Sequence, residues 1–381
     1  MPHSAGNLLI RAAFRHQANY RIAQILEALG PLLRLPIQAW VRASPTPPGQ
    51  WRRGLLIGAD HIGDVLCRTS ALPDLAAATP GCAWSYLASR PANELLETNP
   101  FLDRVVVLKR ELHKTKAAEL RALMKGCDAV ICYDLIGTHR LLAIACAAQA
   151  PNRIAFAHKG FSWLATRPLP LLYPSPYAST FRDMVAEIAG RPLSAEPRPL
   201  VYPTSEDESL AREAFSRLGQ GPGVPVLACS IFTRQGSGGY PPELYIETVR
   251  RVQAQARVHA VFLASTAERK PLESLLEGSG LDYSVVTGLP LRSLHCFLRQ
   301  CQAAFAMDSG VRHLANAAAI PVVFTRNWEM HPVEAGPYLA TETAVPLRSL
   351  FNGASPPSGS ASTFDPAGAA QQIREALEKN P

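Results

Sequence analysis

The chain has 381 residues, of which 47% are hydrophobic and 18% are charged. This composition excludes a wholly disordered chain, and the length exceeds the roughly 250–300 residues at which single cores stop growing, so we expect two domains. The net charge is +7, and residues 1–53 carry seven arginines against a single acid, Glu27.

This uneven charge indicates the kind of partner. A nucleic-acid-binding domain carries its basic residues on the folded domain, whereas here they lie on an N-terminal arm, so we expect no nucleic-acid partner. Eight scattered cysteines without a C-x-x-C pair predict free thiols and a reducing, cytoplasmic compartment. Neither a signal peptide nor an apolar window long enough to span a bilayer is expected.

The N-terminal arm and its linker take up residues 1–50. Apolar residues recur at helical spacing over residues 7–30, and a second short segment runs from Leu32 to Val41. The pattern of residues 7–42 allows two interpretations. The arm could lie in the plane of an anionic membrane, peripheral to its cytoplasmic face, with Trp40 at the interface. It could equally be a helical hairpin packed on the first domain.

Residues 51–200 show strands alternating with helices, which is typical of a parallel sheet covered on both faces. Apolar runs predict strands at 54–59, 84–88, 105–108, 129–133 and 153–156. Helical patterns fall at 65–75, 94–96, 117–125, 141–149 and 181–189. Residues 160–200 are rich in proline, and we place the domain boundary near residues 190–204.

The same alternation resumes in residues 201–365. Strands are predicted at 224–231, 260–264, 283–286, 304–307 and 322–324, with helices at 242–256, 272–276 and 291–299 and after Gly310. Residues 366–381 form a last amphipathic helix that could pack back on the first domain. The whole pattern indicates two successive α/β domains.

The first candidate site is Ile62-Gly63-Asp64, in the loop after the first strand. Gly63 permits a tight turn, and a carboxylate at Asp64 could accept a proton from an attacking hydroxyl. Alternatively, Asp64 only caps the following helix.

The second candidate site is Asp308-Ser309-Gly310 with His313, between a strand and a helix. Ligands bind at the carboxyl ends of parallel strands, and helix N-termini favour anions. Gly310 would let a ligand approach the backbone, and His313 could donate a hydrogen bond to a phosphate. The alternative is a capped helix with a satisfied, partly buried histidine.

The third candidate is the glycine-rich loop from Thr233 to Gly239, in which Arg234 could neutralise a diphosphate. A flexible surface loop is the alternative. The sequence has no D-x-D pair, no H-E-x-x-H and no G-x-S-x-G, so we expect neither a catalytic metal nor a serine hydrolase.

Taken together, these stretches resemble glycosyltransferase family 9, the heptosyltransferases of bacterial lipopolysaccharide assembly. The resemblance covers roughly residues 54–380. It is carried by I-G-D-V-L-C-R-T-S-A-L-P-D-L (62–75), N-P-F-L-D-R-V-V-V-L (99–108), R-I-A-F (153–156), the stretch 291–323 with D-S-G-V-R-H-L-A, and G-P-Y (336–338).

The resemblance implies a GT-B fold, in which two Rossmann-like domains face each other across a cleft, with the N-terminal helical extension outside the common core. It implies an inverting, metal-independent transfer from a nucleotide-sugar donor, expected to be ADP-heptose, to a glycan or glycolipid acceptor. By position, Asp64 matches the catalytic aspartate. The donor side would comprise Thr233, Arg234, Asp308, Ser309, Gly310, His313 and Arg326, and the acceptor side Gly63, Arg68 and Asp134.

Two departures from the family pattern concern the donor. Family members carry a lysine two residues before an aromatic-Pro pair, and here Gly238 stands at that position before Tyr240-Pro241. The usual F-G-P-T is replaced by Phe324-Thr325-Arg326-Asn327. Arg234 or Arg326 could supply the missing cation. The alternatives to a transferase are a GT-B sugar-nucleotide epimerase and a non-catalytic, degenerate member acting as a sugar-nucleotide-binding or membrane scaffold.

Overall fold

The structure, a computed structural model, describes residues 17–41, 44–58, 61–133, 138–158, 160–172, 174–193, 196–232, 240–326, 330–346 and 364–380. Its α-helices are α1 (Gln17–Trp40), α2 (Ile62–Thr69), α3 (Leu72–Ala78), α4 (Ala117–Met124), α5 (Thr138–Ala147), α6 (Tyr177–Ala189), α7 (Ser205–Ser216), α8 (Pro242–Gln253), α9 (Arg269–Leu276), α10 (Leu291–Leu298), α11 (Gly310–Ala317) and α12 (Pro366–Glu378). Short 3-10 helices lie at Pro48–Gln50, Ala92–Leu95, Leu112–Lys114, Ser162–Leu164 and Thr266–Glu268.

The chain divides into two compact units. The first comprises Met1–His61, Ala71–Tyr173 and Thr180–Ala195, and the second Ile62–Ser70, Pro174–Ser179 and Glu196–Pro381. The short segment Ile62–Ser70, which contains helix α2, therefore belongs by its contacts to the second unit, although it follows a strand of the first.

The first unit is built on a six-stranded sheet in which every pairing is parallel. Its strands are β1 (Arg53–Ile57), β2 (Ala83–Ala88), β3 (Arg104–Val107), β4 (Ala129–Cys132), β5 (Asn152–Phe156) and β6 (Arg167–Leu169). Their order is β3-β2-β1-β4-β5-β6. The order reverses between β1 and β4, as in a Rossmann fold. The apolar runs of β1 and β4 are buried because helices cover both faces of such a sheet.

The second unit repeats this topology. Its strands are β7 (Val226–Ser230), β8 (His259–Ala264), β9 (Tyr283–Thr287), β10 (Ala303–Met307), β11 (Val322–Thr325) and β12 (Glu342–Ala344). They are ordered β12-β11-β10-β7-β8-β9, again all parallel. The prediction of two Rossmann-like α/β halves is confirmed, and the reversal of strand order in this unit lies between β7 and β10.

Helix α1 differs from the prediction of two helical segments, because it runs unbroken from Gln17 to Trp40. Proline in a helix interior removes a backbone donor and favours a break, but packing on the first unit holds this helix together. Gly30 lies against the Trp163 ring so closely that a Cβ would come within 2.7 Å of its Cδ1. The Glu27 carboxylate accepts hydrogen bonds from the Ser162 backbone N–H, at 2.7 Å, and hydroxyl, at 2.5 Å.

The helix predicted over residues 65–75 is two helices, α2 and α3. Hydroxyls at the end of α2 bond back to carbonyls of its last turns: Thr69 Oγ1 donates to Leu66 O at 2.7 Å and Ser70 Oγ donates to Cys67 O at 2.8 Å. Pro73 lacks a backbone N–H and suits only the first turn of the next helix. The chain therefore breaks between Thr69 and Leu72.

Strands β6 and β12 were not predicted from the sequence. Each has only three residues and lies at one edge of its sheet. Pro168 within β6 is tolerated because an edge strand has one unpaired side. No helix in the described ranges is long and apolar enough to cross a membrane.

Candidate functional site

The carboxyl edge of the second sheet brings three segments of the chain together. The register pairs Ser230 of β7 with Ala306 of β10, and Met307 of β10 with Thr325 of β11. The residues that follow these strands therefore emerge side by side at the point where the strand order reverses. This is where open α/β sheets bind ligands.

Helix α2 packs against helix α11 at this edge through two glycines. A Cβ on Gly63 would lie 2.5 Å from Cδ2 of His313, and a Cβ on Gly310 would lie 2.9 Å from Cγ2 of Ile62. Neither position can hold a side chain without displacing its neighbour. The sequence predicts a tight turn at Gly63 and the approach of a ligand at Gly310, and the structure shows that both glycines permit close contact between two helices.

Asp64 lies in the first turn of α2, directly after the glycine that contacts His313. The helix begins at Ile62, three residues earlier than predicted, so Asp64 is inside the helix and does not precede it. A carboxylate in a first turn is stabilised by the positive end of the helix dipole. Gly63 of the I-G-D motif and His313 of the D-S-G-x-x-H motif, 250 positions apart in the chain, thus meet within one unit.

The turn between β10 and α11 contains Asp308 and Ser309. Ser309 precedes α11 in an extended conformation and makes no capping bond with its side chain. Its Oγ is buried and has no hydrogen-bond partner within the described residues. A buried hydroxyl in this state costs free energy, so the turn is suited to a ligand that supplies an acceptor or donor.

Arg312, which is not among the predicted site residues, organises this turn. Its side chain is 2% exposed and bonds Glu342 through Nε at 2.6 Å and Asp308 through one terminal nitrogen at 2.8 Å. The guanidinium also lies 3.5 Å from the Phe324 ring centroid. Burial alone lowers the pKa of Arg312, but Glu342 and Asp308 together raise it above its ordinary value. Its spacing of four residues from Asp308 was the available signal.

The Asp308 carboxylate, predicted on the donor side, is therefore engaged by Arg312. The other terminal nitrogen of Arg312 donates to the Gly336 carbonyl at 2.7 Å. Arg312 thus connects the D-S-G turn to the G-P-Y segment at residues 336–338.

His313 has three close neighbours. Its Nδ1 lies 2.8 Å from the Tyr338 hydroxyl and 3.5 Å from Cys67 Sγ, and its ring stacks on Tyr338 with centroids 5.6 Å apart. Its Nε2 edge faces Gly63. Desolvation, followed by the Arg312 cation, holds the pKa of His313 well below its ordinary value. The imidazole is therefore neutral at pH 7.

Arg326 directly follows β11, beside the D-S-G turn in the register. Its carbonyl accepts a hydrogen bond from the Tyr240 hydroxyl at 3.2 Å, and one guanidinium nitrogen is 3.5 Å from the Pro332 carbonyl. Burial raises the pKa of Tyr240 to about 12. Arg326 is thus at the predicted edge of the sheet.

Of the remaining predicted residues, the structure describes Arg68 but not the others. Arg68 is in the last turn of α2 and is 1% exposed. Asp134, Thr233, Arg234 and Gly238 lie outside the described residues. Among the described residues, no group of three or more His, Cys, Asp or Glu side chains could hold a metal ion.

Comparisons of sequence and of structure gave different results. No protein-family model and no curated protein sequence matches the chain. A glycosyl transferase family 9 structure from Veillonella parvula matches with a TM-score of 0.69 at 18% identity, covering 88% of this chain and 99% of that one. The E. coli ADP-heptose lps heptosyltransferase II matches with a TM-score of 0.64 at 15% identity, covering 86% and 99%. E. coli heptosyltransferase WaaC, solved with ADP, matches with a TM-score of 0.60 at 18% identity, covering 86% and 99%.

At sequence identities of 15–18%, the similarity to these structures shows a shared fold. The resemblance to glycosyltransferase family 9 that the motifs predicted is confirmed at that level, over nearly the full length of each solved structure. The chain has the two-sheet fold of the family 9 glycosyltransferases.

Proposed function

We propose that the protein is an inverting, metal-independent glycosyltransferase that moves a sugar from a nucleotide-diphosphate donor, ADP-heptose, to a hydroxyl of a lipopolysaccharide-type glycan. The observation that carries this proposal is the contact between helices α2 and α11, through Gly63 with His313 and Gly310 with Ile62. It brings the first turn of α2, which contains Asp64, against the first turn of α11.

In this proposal Asp64 accepts the proton of the acceptor hydroxyl as its oxygen attacks the anomeric carbon. The bond between that carbon and the diphosphate oxygen breaks, and the diphosphate departs with the electron pair. The N-terminus of α11, the Ser309 hydroxyl and His313 would stabilise the charge that develops on the diphosphate. Arg326 and Arg234 are the candidates for an added cation.

A panel of nucleoside diphosphates tests the donor class. We expect ADP to raise the melting temperature more than UDP or GDP, because a ligand that binds only the native state stabilises it, by about 2.7 kcal/mol at a hundredfold excess over Kd. The same protein is then incubated with ADP-heptose, with and without a heptose-deficient lipopolysaccharide acceptor, and release of ADP is measured.

The outcomes of this experiment separate the functions. Acceptor-dependent release of ADP supports the transferase. Consumption of the nucleotide sugar without acceptor indicates an epimerase or hydrolase, and stabilisation without consumption indicates a non-catalytic binding protein. Absence of stabilisation by every nucleoside diphosphate would contradict the proposed donor site itself.

We also propose that the protein is cytoplasmic and binds the anionic inner face of the cytoplasmic membrane through helix α1. One face of α1 packs on the first unit, where Ala23 and Glu27 are buried. The opposite face exposes large apolar side chains at helical spacing: Ile22, Ile25, Leu29, Leu32, Leu35 and Trp40. An exposed apolar stripe of this kind marks an interaction surface.

The charges around the apolar stripe of α1 favour an anionic lipid surface as its binding partner. Glu27 is the only acid among residues 1–53, and its carboxylate faces Ser162 and is 5% exposed. Arg21 and Arg34 are exposed on the same helix. The apolar stripe is therefore flanked only by positive charge, the combination that favours anionic headgroups.

Vesicle sedimentation with the full chain tests this surface. We expect binding to vesicles containing phosphatidylglycerol, weaker binding to pure phosphatidylcholine, and weakening by salt. The variant Ile25→Ser/Leu29→Ser/Leu32→Ser should bind at least about tenfold more weakly, since each buried methylene contributes to insertion. Leu172→Ser, at a leucine 58% exposed elsewhere, is the matched control. Unchanged binding by the triple variant, or a lipid-independent dimer that it abolishes, would rule out the lipid surface.

A further inference from the structure

A chain of hydrogen bonds runs from a buried carboxylate to the imidazole of His313. The Glu342 carboxylate lies 2.7 Å from Asn316 Nδ2, the same Nδ2 lies 2.8 Å from the Tyr338 hydroxyl, and that hydroxyl lies 2.8 Å from His313 Nδ1. Glu342 is in turn fixed by Arg312 and accepts the Tyr338 backbone N–H at 2.8 Å. Tyr338 ends the G-P-Y segment and Asn316 lies in the stretch 291–323, but neither they nor Glu342 were predicted as site residues.

The chemistry of these groups determines which one donates and which one accepts in each of these hydrogen bonds. A carboxylate paired with an arginine only accepts, so it orients the Asn316 amide with its nitrogen towards Glu342 and Tyr338. An amide nitrogen only donates, so the Tyr338 oxygen accepts from Asn316. The hydrogen of the Tyr338 hydroxyl then has His313 Nδ1 as its acceptor, because its hydrogen bonds within the described residues are to these two groups.

The protonation states of Tyr338 and Cys67 also favour donation of hydrogen bonds towards His313 Nδ1. Burial, and then Cys67 and Glu342, raise the pKa of Tyr338 well above its ordinary value, so the hydroxyl keeps its hydrogen. Burial also raises the pKa of Cys67, so the second group near Nδ1 is a thiol that can donate as well. With two donors directed at Nδ1 and a neutral ring, the single ring hydrogen belongs on Nε2.

We propose that Tyr338, oriented by Asn316 and Glu342, is a positioning residue that fixes His313 in its Nε2–H tautomer and presents that N–H to an anionic diphosphate oxygen of the donor. The Nε2 edge lies over Gly63, at 3.0 Å from the position a Cβ would take. The opposite tautomer would turn a lone pair towards the anion. The ligand part of this inference rests on the proposed function, whereas the tautomer can be measured without any ligand.

Nitrogen NMR of protein with ring-labelled histidine reads the tautomer directly, with His313→Gln to assign the signal. We expect the wild-type signal at neutral pH to be that of the Nε2–H form. Tyr338→Phe retains the stacked ring but removes the hydroxyl, and should give a measurable fraction of the Nδ1–H form. Tyr245→Phe is the matched control, because it removes another buried hydroxyl of the same unit, one bonded to Thr325 and not to His313.

Binding of ADP to the same variants tests the link to the ligand. We expect Tyr338→Phe to weaken the binding of ADP roughly tenfold, because the variant loses part of the contribution of one hydrogen bond to a charged group. Tyr245→Phe should leave the affinity for ADP unchanged. A wild-type His313 in the Nδ1–H or imidazolium form, or a tautomer unaffected by Tyr338→Phe, overturns the positioning role. A tautomer that shifts without any change in ADP affinity overturns the contact with the diphosphate. Failure of the wild-type protein to bind ADP at all contradicts the proposed donor and leaves the tautomer result standing.

Discussion

Replacement of Asp64 by asparagine should abolish glycosyl transfer while leaving the donor bound. The amide has nearly the shape of the carboxylate and keeps the first turn of α2, but it cannot accept a proton from the attacking hydroxyl. Loss of a general base costs about 10²–10⁴ in rate. We therefore expect kcat to fall by at least about a hundredfold, with ADP affinity from calorimetry within a factor of about two, far less than loss of a direct contact would cost.

The chain provides a matched control for this substitution. Asp74 occupies the third position of α3, the same helical position as Asp64 in α2. Its carboxylate lies 3.7 Å from the half-exposed Arg191 and interacts electrostatically with Arg182, and both arginines belong to the first unit, away from helix α11 of the second unit. Asp74→Asn should therefore leave kcat unchanged. Equal rates for the two variants, or turnover by Asp64→Asn close to that of the wild type, would remove Asp64 from the reaction.

Replacement of Arg312 by methionine should destabilise the second unit more than any surface substitution. Methionine fills a similar volume, but it leaves the carboxylates of Glu342 and Asp308 without their cation in a buried site. Breaking a buried pair in this way costs about 3–5 kcal/mol. We expect this loss in the free energy of unfolding measured with denaturant, and partial recovery in the double variant Arg312→Met/Glu342→Gln.

An exposed pair of the same geometry serves as the comparison. Arg269 and Glu273 are also four residues apart on one helix, also at 2.8 Å, but their side chains are 55% and 46% exposed. Arg269→Met should change stability by less than about 1 kcal/mol. If Arg312→Met were as mild, the buried network would not be what holds the D-S-G turn in place.

The sequence predicted the two sheets because their central strands are continuous apolar runs followed by glycine-containing turns. It could not predict β6 and β12, whose three residues offer no periodicity, nor the break after Thr69. That break depends on hydroxyls bonding to the preceding turns, and a helical pattern of apolar residues runs straight through it.

The position of the candidate site on the second sheet could be predicted in part for the same reason. Asp308, Ser309 and His313 lie at a strand end followed by a helix, a pattern visible in the sequence. Arg312 and Tyr338 were not selected, because their partners are brought to them by the fold and not by spacing alone. Gly63 was predicted to allow a turn, but it permits a close helix contact. That contact could not be predicted because it is made with His313, which is 250 residues away.

The assignment of helix α2 to the second unit limits how this protein can be divided. A fragment cut between the two sheets, near residue 195, would keep α2 in one piece and α11 in the other, and would separate Gly63 from His313. Exchange of the second sheet with that of a structurally similar protein meets the same difficulty. To carry over the second unit intact, a chimaera must transplant residues 62–70 and 174–179 together with residues 196–381, as three segments and not one.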